Sequence, residues 1–372
     1  MVFNGLVNHF GILVDPRVQK RSKHKLVDII VIAVCAVICA AEGWEEIEEY
    51  GKSKFEWFKT FLELSNGIPS HDTFARVFSI LDPIAFEKCF CEWANTMRKV
   101  LGNELLAIGG KTVRRSFNSA TGKKAIHLVS AWAVENELIL GQVKVEDKSN
   151  EITAVPKLIE MLSLKGTTVT TDAMNCQKEI AQKIIDAGGD YVLCIKGNQG
   201  NTHEEIKEFF ADCHKENFKD VPYDSFESTD KGHGRIEIRN YWQTAAIDWM
   251  DEKGAWKGLR TIGMVIAKRI IKEKTTQETR YFLSSRSSDA QRFARAVRGH
   301  WQVENGLHWC LDVSLNEDGS RIRAANAAEN FSILRRIALN LLKQEKSKKR
   351  GIKGKSKIAC WDNTYLLKVL LG

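Results

Sequence analysis

Hydrophobic positions in the first hundred residues recur with a helical period. A continuous apolar run at 29–41 is followed by a segment at 44–64 rich in Glu, Lys and Phe. A polar cluster at 70–72 then precedes apolar residues at helical spacing, which predicts a capped helix. The pattern predicts a helical domain over residues 1–100. Because a Gly-Ile-Pro turn leads into the capped helix, this domain suits a helix-turn-helix DNA reader as well as a plain helical core.

Beyond residue 101 the pattern changes to that of strands. Short apolar runs bounded by Gly and Asn predict strands at 104–108, 125–134, 138–145, 167–171 and 191–195. Helical stretches at 152–162 and 176–187 separate the later strands, which predicts parallel pairing through crossovers after an antiparallel meander. The fold class predicted is α/β, a mixed sheet flanked by helices.

The pattern in the remainder of the chain predicts a β-rich insertion followed by further helices. Strand-like runs without a long helix fill residues 217–283, which favours an inserted β-rich segment. Helical periodicity returns at 289–311 and at 326–342. These changes divide the chain into a helical domain at 1–100, an α/β domain at 101–345 and a tail at 346–372.

Charge is concentrated at the end of the chain. Lys and Arg number 55 and Asp and Glu number 47, a net charge of +8, and residues 343–357 hold eight basic residues and one acid. The rest is nearly neutral, so nucleic-acid binding by the folded body requires local patches. The basic tail is either a DNA-binding arm or a disordered arm that only interacts with solvent.

Cysteine spacing and the apolar run indicate a cytoplasmic protein. Nine cysteines occur without a C-x-x-C pair, which favours reduced thiols over a disulfide scaffold or a zinc ribbon. The apolar run at 29–41 has thirteen residues, too few to span a bilayer, and it lies too far from Met1 for a signal peptide. We therefore predict a buried helix there and no membrane partner.

One predicted helix places several chemically active side chains together. At 100° per residue, a single face within about 120° carries Trp301, Glu304, Asn305, His308 and Asp312. In one interpretation both acids pair with His308 on a solvated face. In the other, the flanking tryptophans bury a polar cluster that needs pairing or a metal ion.

Two strand ends carry a second group of candidates. Asp172 directly follows the apolar strand at 167–171, where it serves either as a helix N-cap or as a cation ligand. Lys196 and Asn198 follow the next strand at the same predicted edge. They form either an ordinary turn or a group of phosphate donors.

In order along the chain, these motifs resemble those of the H-repeat-associated insertion-sequence transposases of the DDE class. The resemblance spans nearly the whole chain and rests on segments 15–17, 41–47, 66–76, 107–114, 147–154, 170–177, 191–199, 233–235 and 300–318. It implies a ribonuclease-H-like core with two Mg²⁺ or Mn²⁺ ions that cuts transposon ends and joins the 3′ hydroxyls to target DNA. It further implies a homodimer on double-stranded DNA, associated with the bacterial nucleoid.

The resemblance also assigns the acids of the site, and one of them is missing. Asp172 corresponds to the second acid and Glu304 to the third. The family's first acid lies in Ala-Ile-Asp-Gly-Lys, whereas residues 107–111 read Ala-Ile-Gly-Gly-Lys, so Gly109 occupies the aspartate position. A two-ion site depends on carboxylates that hold both cations, and glycine has no side chain to supply one.

The missing acid leaves three hypotheses open. The chain is an impaired transposase, an inactive DNA-binding relative that represses or competes with active copies, or a metal-dependent nuclease that does not transpose. Substitute acids to consider are Glu104, Asp190 and Asp312, although Glu104 lies five residues back along the strand, roughly 17 Å when extended.

We expect DNA contacts from cationic and amide side chains beside the predicted site. The candidates are Lys111, Arg114, Arg115, Lys196, Asn198, Arg321 and Arg323, together with the basic tail. Their expected role is phosphate contact, which supplies most non-specific affinity. The alternative for Arg114 and Arg115 is a solvated turn.

Overall fold

The computed structural model describes residues 4–18, 22–99, 104–147, 149–232 and 234–371. The chain folds into two compact units, one built from residues 1–99, 110–149 and 304–372 and the other from residues 100–109 and 150–303. Within the described residues, no helix has the length and apolar character needed to cross a membrane.

The first unit is a helical assembly that carries one β-hairpin. Its α-helices are α1 (Asn4–Phe10), α2 (Leu26–Ile38), α3 (Trp44–Ser53), α4 (Phe55–Phe58), α5 (His71–Ile80), α6 (Pro83–Met97), α11 (Trp309–Leu315), α12 (Ala327–Gln344), α13 (Ile352–Trp361) and α14 (Asn363–Leu371). The hairpin pairs β2 (His127–Ala133) with β3 (Leu138–Lys144) in antiparallel register.

The long apolar run forms a buried helix, as predicted. Every residue of α2 from Asp28 to Ile38 is buried, and the helix packs against α12 and α3. The predicted cap of α5 is also present, because Ser70 Oγ accepts a hydrogen bond from the Thr73 backbone amide. The buried face of α5 carries Phe74, Val77 and Phe78 and packs against α3 and α12.

A buried carboxyl group on α6 makes stability depend on pH. Glu87 Oε1 accepts hydrogen bonds from the Gln142 amide at 2.8 Å and from Cys91 Sγ at 3.4 Å. Burial raises the pKa of Glu87 to about 8. Because the folded state favours the protonated acid, its stabilisation is complete below the ordinary pKa near 4.5 and is lost as pH rises through about 8.

We therefore predict that Glu87→Gln flattens the fall in stability between about pH 5 and pH 8, since glutamine keeps a neutral polar group there. The measurement is the urea midpoint across that range. Glu92→Gln, which changes an exposed acid on the same helix, is the control and should keep the wild-type slope. An unchanged slope in Glu87→Gln would contradict the assignment.

The second unit contains most of a mixed sheet. Its strands are β1 (Glu104–Thr112), whose last three residues belong to the first unit, β4 (Thr167–Thr171), β5 (Asp190–Ile195), β6 (Asp224–Gly232), β7 (Arg235–Thr244), β8 (Thr261–Ile271) and β9 (Lys274–Ser284). They are ordered β1-β4-β5-β9-β8-β7-β6. The β1–β4 and β4–β5 pairs are parallel and the others antiparallel, which confirms the predicted mixed sheet.

Helices complete the α/β arrangement of this unit. They are α7 (Glu151–Glu160), α8 (Lys178–Asp186), α9 (Gly200–Lys215) and α10 (Ala290–His300). Helix α7 precedes β4 and α8 connects β4 to β5, as the predicted crossovers require. The predicted insertion forms β6 to β9, four antiparallel strands that extend the sheet from β5. Helix α9 and strand β6 were not predicted.

The basic tail is helical and packed. Lys355 on α13 is buried and donates a hydrogen bond to the Leu342 carbonyl at 2.8 Å, and the Tyr365 hydroxyl on α14 contacts Glu345 at 2.7 Å. The alternative of a disordered arm is therefore wrong. The division at residues 100 and 345 stays a proposal, because the two compact units have different boundaries.

Candidate functional site

The first-acid position lies beside Asp172. Parallel pairing aligns Ile108 on β1 with Thr171 on β4, and the next residues along the two strands are Gly109 and Asp172. Neighbouring strands lie about 4.8 Å apart. The position that lacks an acid therefore lies within β1, about one strand spacing from the second acid, which directly follows β4.

A buried asparagine fixes Asp172. The Asn175 backbone amide donates to Asp172 Oδ1 at 3.2 Å, and Asn175 Nδ2 donates to the same oxygen at 3.0 Å and to Glu151 Oε2 at 2.9 Å. Burial, with a further contribution from the Glu151 charge, raises the pKa of Asp172. Helix α8 begins at Lys178 with Gln177 as its N-cap, so the N-cap alternative for Asp172 is wrong.

The loop after β5 is tied to the loop that carries Asp172. Asn198 Nδ2 donates a hydrogen bond to the Ala173 carbonyl at 2.9 Å, which gives this amide a structural partner. Lys196 is exposed, and its charge lowers the pKa of Asp172, opposing the effect of burial. Lys196 is thus the cation of this loop available for phosphate contact.

Glu304 lies in an irregular helical turn. Residues Val303–His308 form a π-helix between α10 and α11, so the continuous α-helix predicted over 289–311 is wrong. Gly306 lies against Trp132, where an added Cβ would stand 3.2 Å from the indole. Wide turns of this kind are frequently found at functional positions.

The two acids of this segment have different partners. Glu304 Oε2 lies 3.1 Å from His308 Nδ1, so the predicted pairing of these two residues is present. The Glu304 side chain is 60% exposed and that of His308 only 7%. Asp312 Oδ1 pairs with Lys111 at 2.8 Å.

Lys111 is the centre of a buried ionic cluster in the first unit. Its Nζ lies 2.8 Å from Asp312, 2.7 Å from Asp318 and 3.8 Å from Glu317, and its side chain is only 8% exposed. Three carboxylates occupy the space around this ammonium group. These partners leave Lys111 a structural role in this cluster rather than a contact with DNA.

The other predicted cations of this unit remain accessible. Arg114 is 81% exposed beside Asp318, and Arg115 and Arg321 are exposed. Arg323 Nε donates to the Arg115 carbonyl at 3.0 Å, and its guanidinium stacks on Phe117. Arg114, Arg115 and Arg323 thus lie near one another, an arrangement suited to phosphate contact.

The three substitute acids are poorly placed to replace an aspartate at position 109. Glu104 lies at the opposite end of β1. Asp190 pairs with Thr168 in the β4–β5 register, near the start of both strands, and it binds Arg286 at 2.8 Å and Ser285 at 2.7 Å. Asp312 is neutralised by Lys111.

The side chains present do not fit a two-ion centre. In the described part of the chain, no group of three or more His, Cys, Asp or Glu side chains is arranged to hold a metal ion. Gly109 contributes no ligand atom, and one Asp172 oxygen already accepts two hydrogen bonds from Asn175. Hard cations such as Mg²⁺ need several oxygen ligands, and this strand edge offers few.

Glu151 and Asn175 are the site residues that sequence reasoning missed. Both lie inside segments that resemble the transposase family, but nothing in their spacing links position 151 to position 172. The link arises only when the start of α7 packs beside the end of β4. A polar residue three positions after Asp172 was the one available signal, since such side chains commonly fix a turn.

A mixed sheet with parallel central strands, crossover helices and an acid at a strand end defines an α/β protein. Within that class, the family model described as "Transposase DDE domain" matches residues 101–341, and the model "DDE_Tnp_1-associated" matches residues 7–94. The chain belongs to this transposase family. A divalent-metal requirement is general for its DDE domain.

Sequence similarity to two relatives extends over the whole chain. It is 44% identical to the "Putative transposase YncI" of Escherichia coli O157:H7, covering all of this chain and 95% of that protein. It is 41% identical to the "H repeat-associated putative transposase YhhI" of Escherichia coli K12, covering all of this chain and 99% of the relative. The "Inactive transposase YbfQ" of the same strain is 44% identical over 79 residues, which are 21% of this chain and 94% of that protein.

Among solved structures, the chain is similar to a piggyBac transposase in a synaptic complex with hairpin DNA. The match covers 97% of this chain and 76% of that one, with 11% identity and a TM-score of 0.41.

Proposed function

We propose that this protein binds the ends of its own insertion sequence as double-stranded DNA and is impaired in the metal-dependent cleavage and strand transfer of its family. The observation that carries the proposal is the position of Gly109 beside Asp172, where the family motif has an aspartate. Phosphate affinity depends on Lys and Arg, so it is independent of this loss. DNA binding and cleavage should therefore separate in this chain.

The alternative is a catalytically inactive relative that represses or competes with active copies. The absence of a metal-holding acidic group from the described residues favours it. The two proposals share DNA binding and differ in residual cleavage. In both, the protein acts as a homodimer on chromosomal DNA in the bacterial cytoplasm. A non-transposing nuclease would cleave the same DNA without joining its ends.

The test of DNA binding uses the full chain and labelled duplexes tiled from the sequence that flanks its gene, beside scrambled duplexes. We expect a flanking duplex to bind more tightly than its scrambled counterpart. Affinity should fall about 10³-fold or more between 50 and 200 mM salt if six or more phosphates are contacted. Affinity that does not change with salt, or no binding to any duplex, would contradict the proposal.

A further inference from the structure

Helix α10 presents an arginine face that belongs to none of the predicted DNA contacts. Its buried residues include Ala290, Phe293, Ala294, Ala296 and Val297. The exposed side chains of the helix are Gln291, Arg292, Arg295 and Arg298. At 100° per residue these four side chains fall within a 120° arc. The helix thus has one apolar face and one face that carries three cations and no acid.

The apolar face is held on the insertion strands by aromatic packing. The Phe293 ring lies 5.3 Å from Phe282 and 6.1 Å from Tyr241, both edge to face. Gly263 provides the space for this ring, because a Cβ there would stand 2.5 Å from it. Packing of this kind fixes the rotation of α10 about its axis, so the arginines are held outward.

Both ends of the arginine face are anchored. The Asp289 side chain caps the helix by accepting from the Arg292 amide, and the Ala290 amide donates to Asp224 at 2.7 Å. Arg298 lies 3.5 Å from Asp230, which also binds Arg239. Even so, the Arg292 side chain is 61% exposed and that of Arg298 46%. These partners orient the guanidinium groups without burying them.

A cavity of about 200 Å³ opens beside the first turns of the helix. Its lining includes three arginines, Arg286, Arg292 and Arg295, with Asp289 among the other lining residues. Arg286 also pairs with Asp190 at 2.8 Å. Several arginines around one opening favour an anion, and the planar guanidinium matches the oxygens of a phosphate group.

We propose that the outer face of α10, formed by Arg292, Arg295 and Arg298, is a binding surface for the phosphodiester backbone of double-stranded DNA. From Arg292 to Arg298 the helix advances about 9 Å, and DNA advances about 3.4 Å per nucleotide, so the face spans two to three nucleotides of one strand. Charge complementarity selects this occupant. The inference rests on the proposed DNA-binding function and adds a further surface that contributes to it.

The experiment compares the full chain with a triple variant, Arg292→Ala/Arg295→Ala/Arg298→Ala, on a fluorescein-labelled mixed-sequence 30-base-pair duplex. Each lost phosphate contact lowers the salt slope of binding by about 0.9, so we expect the slope to fall by about 2 to 3 and affinity at low salt to fall about 30-fold or more. A second triple variant with lysine at the same positions keeps the three charges and should therefore keep the wild-type salt slope.

The matched control removes three exposed cations elsewhere in the same unit, Lys157→Ala/Lys165→Ala/Lys257→Ala. It should lose less than about threefold, since cations outside the contact surface are screened by salt. If both alanine variants lose affinity equally, or if the α10 variant loses none, the α10 surface is overturned. The proposed DNA binding of the protein is not affected by that outcome. A wild-type chain that binds no DNA overturns the proposed function itself.

Discussion

Gly109→Asp should raise metal-dependent cleavage of insertion-sequence ends by at least about 100-fold, because loss of even an outer-shell ligand costs 10- to 100-fold in metal affinity or activity. The new carboxylate would lie about one strand spacing from Asp172. Gly109 lies within β1 and is not among the glycines at positive φ, so the backbone there suits an L residue. The measurement is nicking of an end duplex in Mg²⁺ or Mn²⁺.

Two variants separate ligand chemistry from an effect of side-chain size. Gly109→Asn adds a side chain of the same shape without the charge and should restore little cleavage. In Gly109→Asp/Asp172→Ala, cleavage should return to the wild-type level, because the new aspartate has lost the neighbouring carboxylate. Efficient strand transfer by the unmodified chain, abolished by Asp172→Ala, would contradict the assignment and require another acid to replace the missing one.

The largest expected effect on stability comes from a fully buried ion pair. Glu317 Oε1 lies 2.9 Å from Arg336 Nη1, and both side chains are 0% exposed. We predict that Glu317→Ala destabilises the fold by about 3 to 5 kcal/mol, because Arg336 would then be a buried charge without its partner. Lys111, 3.8 Å away, would also lose a neighbouring carboxylate. The measurement is the free energy of unfolding in urea.

The same pair sets a pH dependence with the opposite sign to that of Glu87. Burial alone raises the pKa of Glu317, but Arg336, Arg335 and Lys111 together lower it to about 2. The stabilisation is therefore present above the ordinary pKa near 4.5 and is lost as pH falls toward 2. Glu317→Gln should remove this acid dependence. A loss under about 1 kcal/mol in Glu317→Ala would show that the interior adapts to the unpaired arginine.

The sequence predicted the features that depend on local periodicity. Buried helix α2, the Ser70 cap and strands β4 and β5 follow from apolar spacing and from the residues that bound each run. The family motif also identified Gly109 as the position of the missing acid. The sequence did not predict the β1–β4 register, which places Gly109 beside Asp172. That register depends on pairing between residues about sixty positions apart.

The failures come from packing that no local pattern reports. The helical spacing of residues 289–311 does not distinguish a π-helix from an α-helix. The wide turn occurs where Gly306 lies against Trp132, a contact between residues far apart in the sequence. Lys111 looked like a phosphate contact until folding surrounded it with three carboxylates. The charge of the tail left a disordered arm open as one alternative, whereas Lys355 is buried against backbone carbonyls.

Metal binding to the full chain tests the central claim most directly. Mn²⁺ titration followed by calorimetry, with no DNA present, compares wild type, Gly109→Asp and Gly109→Asp/Asp172→Ala. We predict at least about tenfold tighter Mn²⁺ binding in Gly109→Asp than in wild type, and loss of that gain in the double variant. A wild-type chain that binds two Mn²⁺ ions as tightly as Gly109→Asp, with both lost in Asp172→Ala, would contradict the claim that Gly109 impairs this site.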